Sequence, residues 1–231
     1  MVYGLVRQWW QGVRDRNYTA LASAVVVFFL LVFGLWQGYQ WYVVSREEKA
    51  QFAMSEAFEE YDKALYQMID EKKTSREVAQ QRMEDAHLSF DVILRNHDGS
   101  FLAPYAHAFE ADIYWYEGKK DEALLAMEKA VKGSAKSPLI YLLKTKNALM
   151  KLDANREQEG VSELSTLARD SKNSNADTAA FYLGYYYWSK KDEVHARESW
   201  QLLEKFADTK GVQRATSPWL AIAQMKLGFI S

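Results

Sequence analysis

The most conspicuous pattern in the chain is an uncharged stretch near its beginning. Residues 17–45 contain no Asp, Glu, Lys or Arg, and the centre at 20–35 reads ALASAVVVFFLLVFGL. As an α-helix these 29 residues would measure about 43 Å, against about 30 Å of bilayer hydrocarbon. Interfacial aromatic residues lie at both ends: Trp9, Trp10, Tyr18, Trp36, Tyr39, Trp41 and Tyr42. We therefore predict a short head at 1–16 and a transmembrane helix at 17–45.

Two alternatives to a retained anchor fit parts of this pattern. A cleaved signal peptide also has a basic start and an apolar stretch, and Val43-Val44-Ser45 resembles a small-residue cleavage site. The apolar centre ends well before that site, however, and aromatic side chains fill the interval. The other alternative is a buried core helix, but such a helix rarely runs this long without a charge.

The basic residues on either side of the stretch predict its orientation. The head carries Arg7, Arg14 and Arg16, whereas the far side offers Arg46 and Lys49. Lys and Arg are retained preferentially on the cytoplasmic side of a membrane. We expect the head to lie in the cytoplasm and the rest of the chain outside it, with lipid contact confined to 17–45.

The periodicity beyond residue 45 is helical. No glycine or proline occurs between Gly38 and Gly99. Apolar residues recur at steps of three and four, as on one face of an amphipathic helix: Ala50, Phe52, Ala53, Ala57, Tyr61, Ala64, Leu65 and Met68. This pattern predicts a membrane-proximal helical hairpin over 46–98, whose first helix continues from the anchor.

From residue 99 onward the helical pattern repeats. Pro104 and Pro138 lie 34 residues apart, each just ahead of a helical segment. The small residues of the second helices are spaced by 37, 37 and 36 residues: Ala86, Ala123, Gly160 and Ala196. Such regularity indicates helical hairpins that stack and bury faces they could not bury alone. We predict an all-α chain in which 99–231 form an α-solenoid, with a capping helix that begins at Ser217-Pro218-Trp219.

These repeats resemble the tetratricopeptide family over residues 80–230. The best-matching unit has the family's leucine-glycine, tyrosine, alanine and large aromatic: Leu183-Gly184, Tyr187, Ala196 and Trp200. Further matches are Tyr114, Gly118, Ala123 and Ala130. The chain departs from the family pattern in three ways: the small residues are two or three positions further apart than the family's 34, His107 replaces a favoured tryptophan, and 138–170 match poorly.

With a single amino-terminal span and a basic head, the layout is similar to that of the membrane-anchored ancillary subunits of the bacterial Sec translocon. This resemblance implies a bacterial inner-membrane protein with a periplasmic carboxy-terminal domain, whose partner is the translocon, a secretory chain or a periplasmic chaperone. Tetratricopeptide proteins bind peptides in a groove lined by the first helix of each repeat. Transferred to this chain, the groove positions are Tyr105, Asp112, Trp115, Tyr116, Phe181, Tyr185 and Trp188.

The composition and motifs of the chain exclude several other classes of function. The 231-residue chain has no cysteine, which excludes disulfides, thiolate metal sites and thiol nucleophiles. Its 29 basic and 31 acidic residues give a net charge of −2, unlike a nucleic-acid binder. The four histidines form no metal-binding motif, and no nucleophile elbow or phosphate loop occurs. We expect no enzyme activity, no cofactor, no metal and no nucleic-acid partner.

Two functions of different kinds remain. The first is a membrane-tethered module that docks a partner protein or peptide in the groove. The second is a structural subunit of an envelope membrane complex, in which the solenoid is a spacer and the span contacts another helix. Gly34 and Gly38 form a small-xxx-small step that would permit such an approach.

Overall fold

The computed structural model describes residues 18–69, 73–208 and 217–228. Within these ranges the chain forms nine helices and no strand, so its all-α class is as predicted. The predicted head at 1–16 lies outside the described residues. The helices are α1 (Tyr18–Ile69), α2 (Lys73–Asn96), α3 (Ala103–Tyr116), α4 (Lys120–Gly133), α5 (Ile140–Asp153), α6 (Glu157–Arg169), α7 (Ala176–Ser189), α8 (Glu193–Asp208) and α9 (Pro218–Gly228).

Helix α1 passes without interruption through the predicted anchor. The large apolar side chains in the centre of the predicted anchor are exposed: Phe28, Phe29 and Leu30 are between 63% and 65% exposed. By length and composition, the segment Ala22–Met68 is the one helix in the described chain that is able to cross a membrane. The chain divides within α1 into two compact units, residues 1–52 and 53–231.

In the second unit, consecutive helices pack as pairs. The closest pairs are α3 with α4, α5 with α6 and α7 with α8. Each pair meets the next through α4 with α5 and α6 with α7, and the first helices also touch, α5 with α7 and α7 with α9. Short connections between packed neighbours make each pair an antiparallel hairpin.

The turn inside each of these hairpins has the same backbone geometry. A residue with positive φ follows the first helix, at Gly118 (78°), Asn155 (62°) and Lys191 (62°). The next amide donates to the carbonyl five residues earlier, which satisfies the end of the helix: Lys119 to Tyr114, Arg156 to Lys151 and Asp192 to Tyr187. Each positive-φ residue precedes a small residue by five positions, and those small residues, Ala123, Gly160 and Ala196, are buried.

The connections between pairs share a hydrogen bond from the backbone to a side chain. A side-chain oxygen accepts the amide two residues further on and so holds the bend before the next helix. In the described chain, one such bond lies at the start of each of α3, α5, α7 and α9: Ser100 with Leu102, Ser137 with Leu139, Asn173 with Asn175, and Ser217 with Trp219. Helix starts were predicted from the sequence near Ser100, Ser137 and Ser217, but this hydrogen bond was not.

Candidate functional site

The first two groove positions on α3 are occupied by contacts within the chain. The Tyr105 hydroxyl lies 2.6 Å from the Ser137 Oγ. The Lys146 Nζ donates to the Asp112 Oδ2 at 2.5 Å. Both side chains are half-buried. They therefore join α3 to the segment that begins the next hairpin.

The other two α3 positions differ in exposure. The Trp115 side chain is half-buried, and the Lys120 Nζ lies 5.3 Å from the centroid of its ring. Tyr116 is 55% exposed at the end of the helix. Of the four α3 candidates, Tyr116 offers the largest open aromatic surface.

The three α7 candidates form an aromatic row. Phe181 is only 6% exposed, because its ring stacks on Trp219 of α9 at a centroid distance of 4.5 Å. Tyr185 lies 6.4 Å from Phe181 and 5.8 Å from Trp188, and these two outer rings are 44% and 36% exposed. The Lys226 Nζ lies 3.7 Å from the centroid of Trp188 and 5.2 Å from that of Tyr185. Phe181 thus supports the row from inside, while the outer rings face the surroundings.

The α3 and α7 candidates form two separate groups. Among the described residues, no hydrogen bond, ion pair or ring contact joins one group to the other directly. Helix α5 bridges them, since Lys146 on α5 pairs with Asp112 and α5 also packs against α7.

A cleft of about 520 Å³ lies beside the α7 row, between α5 and α7. We call it the tyrosine cleft, because three tyrosines of α7 line it together with two carboxylates and apolar residues. Its principal lining residues are Leu149, Asp153, Glu157, Tyr182, Tyr185 and Tyr186. Its volume is in the range of small-ligand and side-chain pockets. Tyr185 was predicted from the sequence as a groove residue, whereas neither carboxylate was.

Glu157 gives the tyrosine cleft a fixed negative charge. Its carboxylate accepts hydrogen bonds from the Lys190 Nζ at 2.5 Å and the Tyr186 hydroxyl at 2.8 Å. The bonds from Lys190 and then Tyr186 lower the pKa of Glu157 below its usual value. Burial, followed by the bond to Glu157, raises the pKa of Tyr186 to about 12. At neutral pH the glutamate is anionic and the tyrosine is a neutral donor.

A second cleft, of about 570 Å³, lies where α2 and α3 meet the end of α1. Tyr116 is among its lining residues, with Met68, Met83, Glu84, His87 and Lys119. Both clefts therefore adjoin an exposed aromatic residue at the end of a first helix.

The buried carboxylate of Glu110 lies between two histidines. The His107 Nδ1 is 3.1 Å from one of its oxygens, and the His87 Nε2 is 3.8 Å from the other. Sequence spacing did not reveal this group, because His87 comes from α2. Nevertheless, no set of three or more His, Asp or Glu side chains in the described residues has the geometry to hold a metal ion.

A buried lysine was also missed in the sequence. Lys151 is only 6% exposed and pairs with Glu163 of α6. Glu128 of α4 and Glu159 of α6 lie 3.9 Å from the same ammonium. Lys151 therefore links three helices, and nothing in the local sequence distinguishes it from surface lysines.

Within the amino-terminal unit, Gly34 and Gly38 lie on an open face of α1. A methyl group added at either position would meet no atom within 4 Å. The surface of α1 between these two glycines is therefore unobstructed.

No protein-family model matches the chain, and no curated protein matches it either.

Proposed function

We propose that this chain is a membrane-tethered protein–protein interaction module, a tetratricopeptide-like solenoid whose first helices dock a partner protein or peptide. Three features support the solenoid: the repeated hairpin turn, the spacing of buried small residues, and the contacts between successive first helices. Stacked units of this kind present continuous surfaces suited to binding.

The observation that carries the docking role is the open aromatic surface on the first helices. Tyr116, Tyr185 and Trp188 are 55%, 44% and 36% exposed. Exposed, rigid aromatics adjoining clefts are typical anchors of protein interfaces. The chain's core does not depend on their outer faces, so we attribute those faces to partner binding rather than to folding.

The apolar part of α1 supplies the tether in this proposal. We propose a single-pass protein of the bacterial inner membrane, with its amino terminus in the cytoplasm and its repeats in the periplasm. A tether raises the local concentration of the docking surface near the membrane, so that weak contacts capture passing chains. The partner is then the Sec translocon, a secretory chain or a periplasmic chaperone, and the role is not catalytic.

Site-specific photocrosslinking in cells tests the docking role. A photoreactive phenylalanine analogue replaces Tyr116, Tyr185 or Trp188, and the matched control carries it at Val194, which is 67% exposed on α8. We expect a discrete protein adduct from the first-helix positions and none from the control. Equal adducts from all positions, or lipid adducts alone, would refute the proposal.

A second candidate function is a structural subunit whose span contacts another membrane helix. The open face at Gly34 and Gly38 favours it, because small residues let helix backbones approach closely. Replacing both glycines with leucine should then dissociate a detergent-solubilised complex on native gels. An unchanged complex would count against this candidate and leave the docking module intact.

A further inference from the structure

We propose that the tyrosine cleft binds an arginine side chain from an extended segment of the partner. As a statement about the natural partner, this inference rests on the docking role proposed above. The binding chemistry itself follows from charges and rings in the cleft.

The cleft contains a carboxylate without an ion-pair partner among the described residues. Asp153 lines the cleft with an exposed side chain that forms no ion pair or hydrogen bond with the described residues, while the Lys120 Nζ donates to its main-chain carbonyl at 2.8 Å. It also closes helix α5, where the negative end of the helix dipole opposes an acidic side chain. Lys120 binds the main chain at this helix end, so the carboxylate itself lacks an ion-pair partner. A basic ligand would provide the charge that it lacks.

The lining residues of the cleft carry a net negative charge. Among the described residues that line the cleft, Glu157 is the other carboxylate and Lys190 is the one basic side chain. Lys190 is already paired with Glu157 at 2.5 Å. The lining consequently has an excess of one negative charge, which favours a cationic side chain over an anionic one.

Aromatic rings form part of the lining of the cleft. Tyr182, Tyr185 and Tyr186 provide three rings around the two carboxylates. Aromatic faces attract cations, and a planar guanidinium can stack on a ring while it donates to a carboxylate. The molecule already displays this preference next to the cleft, where Lys226 lies over Tyr185 and Trp188. We choose arginine over lysine because only its flat, forked donor group satisfies rings and carboxylate together.

The test measures binding of a fluorescent pentapeptide, Gly-Ser-Arg-Ser-Gly, to the full-length protein in detergent at physiological salt. Two further peptides replace arginine with citrulline, which is uncharged and nearly the same shape, or with lysine. The protein variants are Asp153→Asn and Tyr185→Leu. Their matched controls are Asp98→Asn, an exposed acid in the loop before α3, and Tyr66→Leu, which is 80% exposed on α1.

We expect the citrulline peptide, and each cleft variant with the arginine peptide, to bind at least about fivefold more weakly. Lysine should fall between arginine and citrulline, and the control variants should match the wild type. Asp153→Asn should also leave the melting temperature unchanged or raise it, which a structural role for Asp153 would not do. Equal binding of arginine and citrulline, equal effects of Asp153→Asn and Asp98→Asn, or no binding at all would overturn the inference.

Failure of this inference is distinguishable from failure of the docking role. If photocrosslinking captures a partner but the peptides show no preference for arginine, docking stands and the arginine site does not. If the arginine peptide binds as described but no partner is captured, the cleft chemistry stands and the docking role does not.

Discussion

Gly184 of α7 faces the indole ring of Trp200 of α8 without room for a side chain. A methyl group on Gly184 would lie 2.4 Å from the Trp200 Nε1. The indole cannot retreat easily, since Trp200 is fully buried and its Nε1 donates to the Phe181 carbonyl at 3.1 Å. This one contact limits the closest approach between α7, which carries the aromatic row, and α8.

Gly184→Ala should therefore destabilise the protein. Overpacking of a core contact lowers the free energy of unfolding by about 1–3 kcal/mol. The better helix propensity of alanine offsets about 1 kcal/mol of this loss. Because the indole cannot retreat, we expect the upper end of that range, a net loss of about 2 kcal/mol in denaturant unfolding followed by circular dichroism. Gly228→Ala is the matched control, because a methyl group there meets no atom within 4 Å. Equal stabilities of the two variants would contradict the packing described.

The sequence predicted much of this fold because its signals are local. Helix periodicity, the charge-free stretch and the spacing of Ala123, Gly160 and Ala196 are visible without a structure. The hairpin turns were only partly visible, since positive φ is expected at Gly118 but not at Lys191. At Lys191 the packing of α7 against α8 holds a positive φ in a residue type that rarely adopts one.

Lys151→Met should weaken the link between α4, α5 and α6. The ammonium is buried, but its carboxylate partners are between 37% and 49% exposed, so water can solvate them after the change. We therefore expect a loss of about 1–2 kcal/mol, below the cost of breaking a fully buried pair. Chemical denaturation measures it, with Lys63→Met in the exposed pairs to Glu59 and Glu60 as control. A control that is as destabilised as Lys151→Met would show that Lys151 makes no special contribution.

Glu157 should make stability depend on acid pH. Its pKa is lower in the folded protein than the ordinary value of 4.5, chiefly through Lys190. A carboxyl of this kind adds stability above its unfolded pKa, and that stability is lost as pH falls through the folded pKa. Thermal melts from pH 7 downward should thus decline less for Glu157→Gln than for wild type below about pH 4.5.

The control for the acid dependence is Glu122→Gln. Glu122 shares the first-turn position at the start of a helix but has no ion-pair partner among the described residues. Its acid profile should follow the wild type. If both glutamine variants flatten the profile alike, the helix position and not the bond to Lys190 is responsible.

The membrane assignment predicts both retention and sidedness. The full chain should stay with membranes after carbonate washing, because α1 exposes an uncharged apolar surface long enough to span them. External protease added to spheroplasts should digest the body, whereas the basic head should be protected. Mature protein that begins near Arg46 and appears in the wash would instead indicate a cleaved signal peptide.

Less of the candidate site than of the fold could be predicted from the sequence. Tyr116, Tyr185 and Trp188 were predicted as groove positions from the family resemblance together with Phe181, but the burial of Phe181 depends on Trp219, which is 38 residues later in the chain. The two carboxylates of the tyrosine cleft flank the turn between α5 and α6, and they meet the three tyrosines only because α7 packs beside both helices. Long-range packing of this kind leaves no periodic signal in the sequence.

The most direct test of the docking account is quantitative co-purification from cells. Full-length protein with Tyr185→Ala and Trp188→Ala is compared with a control carrying Leu125→Ala and Val194→Ala, which are 57% and 67% exposed on second helices. We predict that one partner present with wild type and control falls by about tenfold or more with the aromatic double variant, since interface anchors contribute over 1 kcal/mol each. The same partners in equal amounts from both double variants would contradict the account.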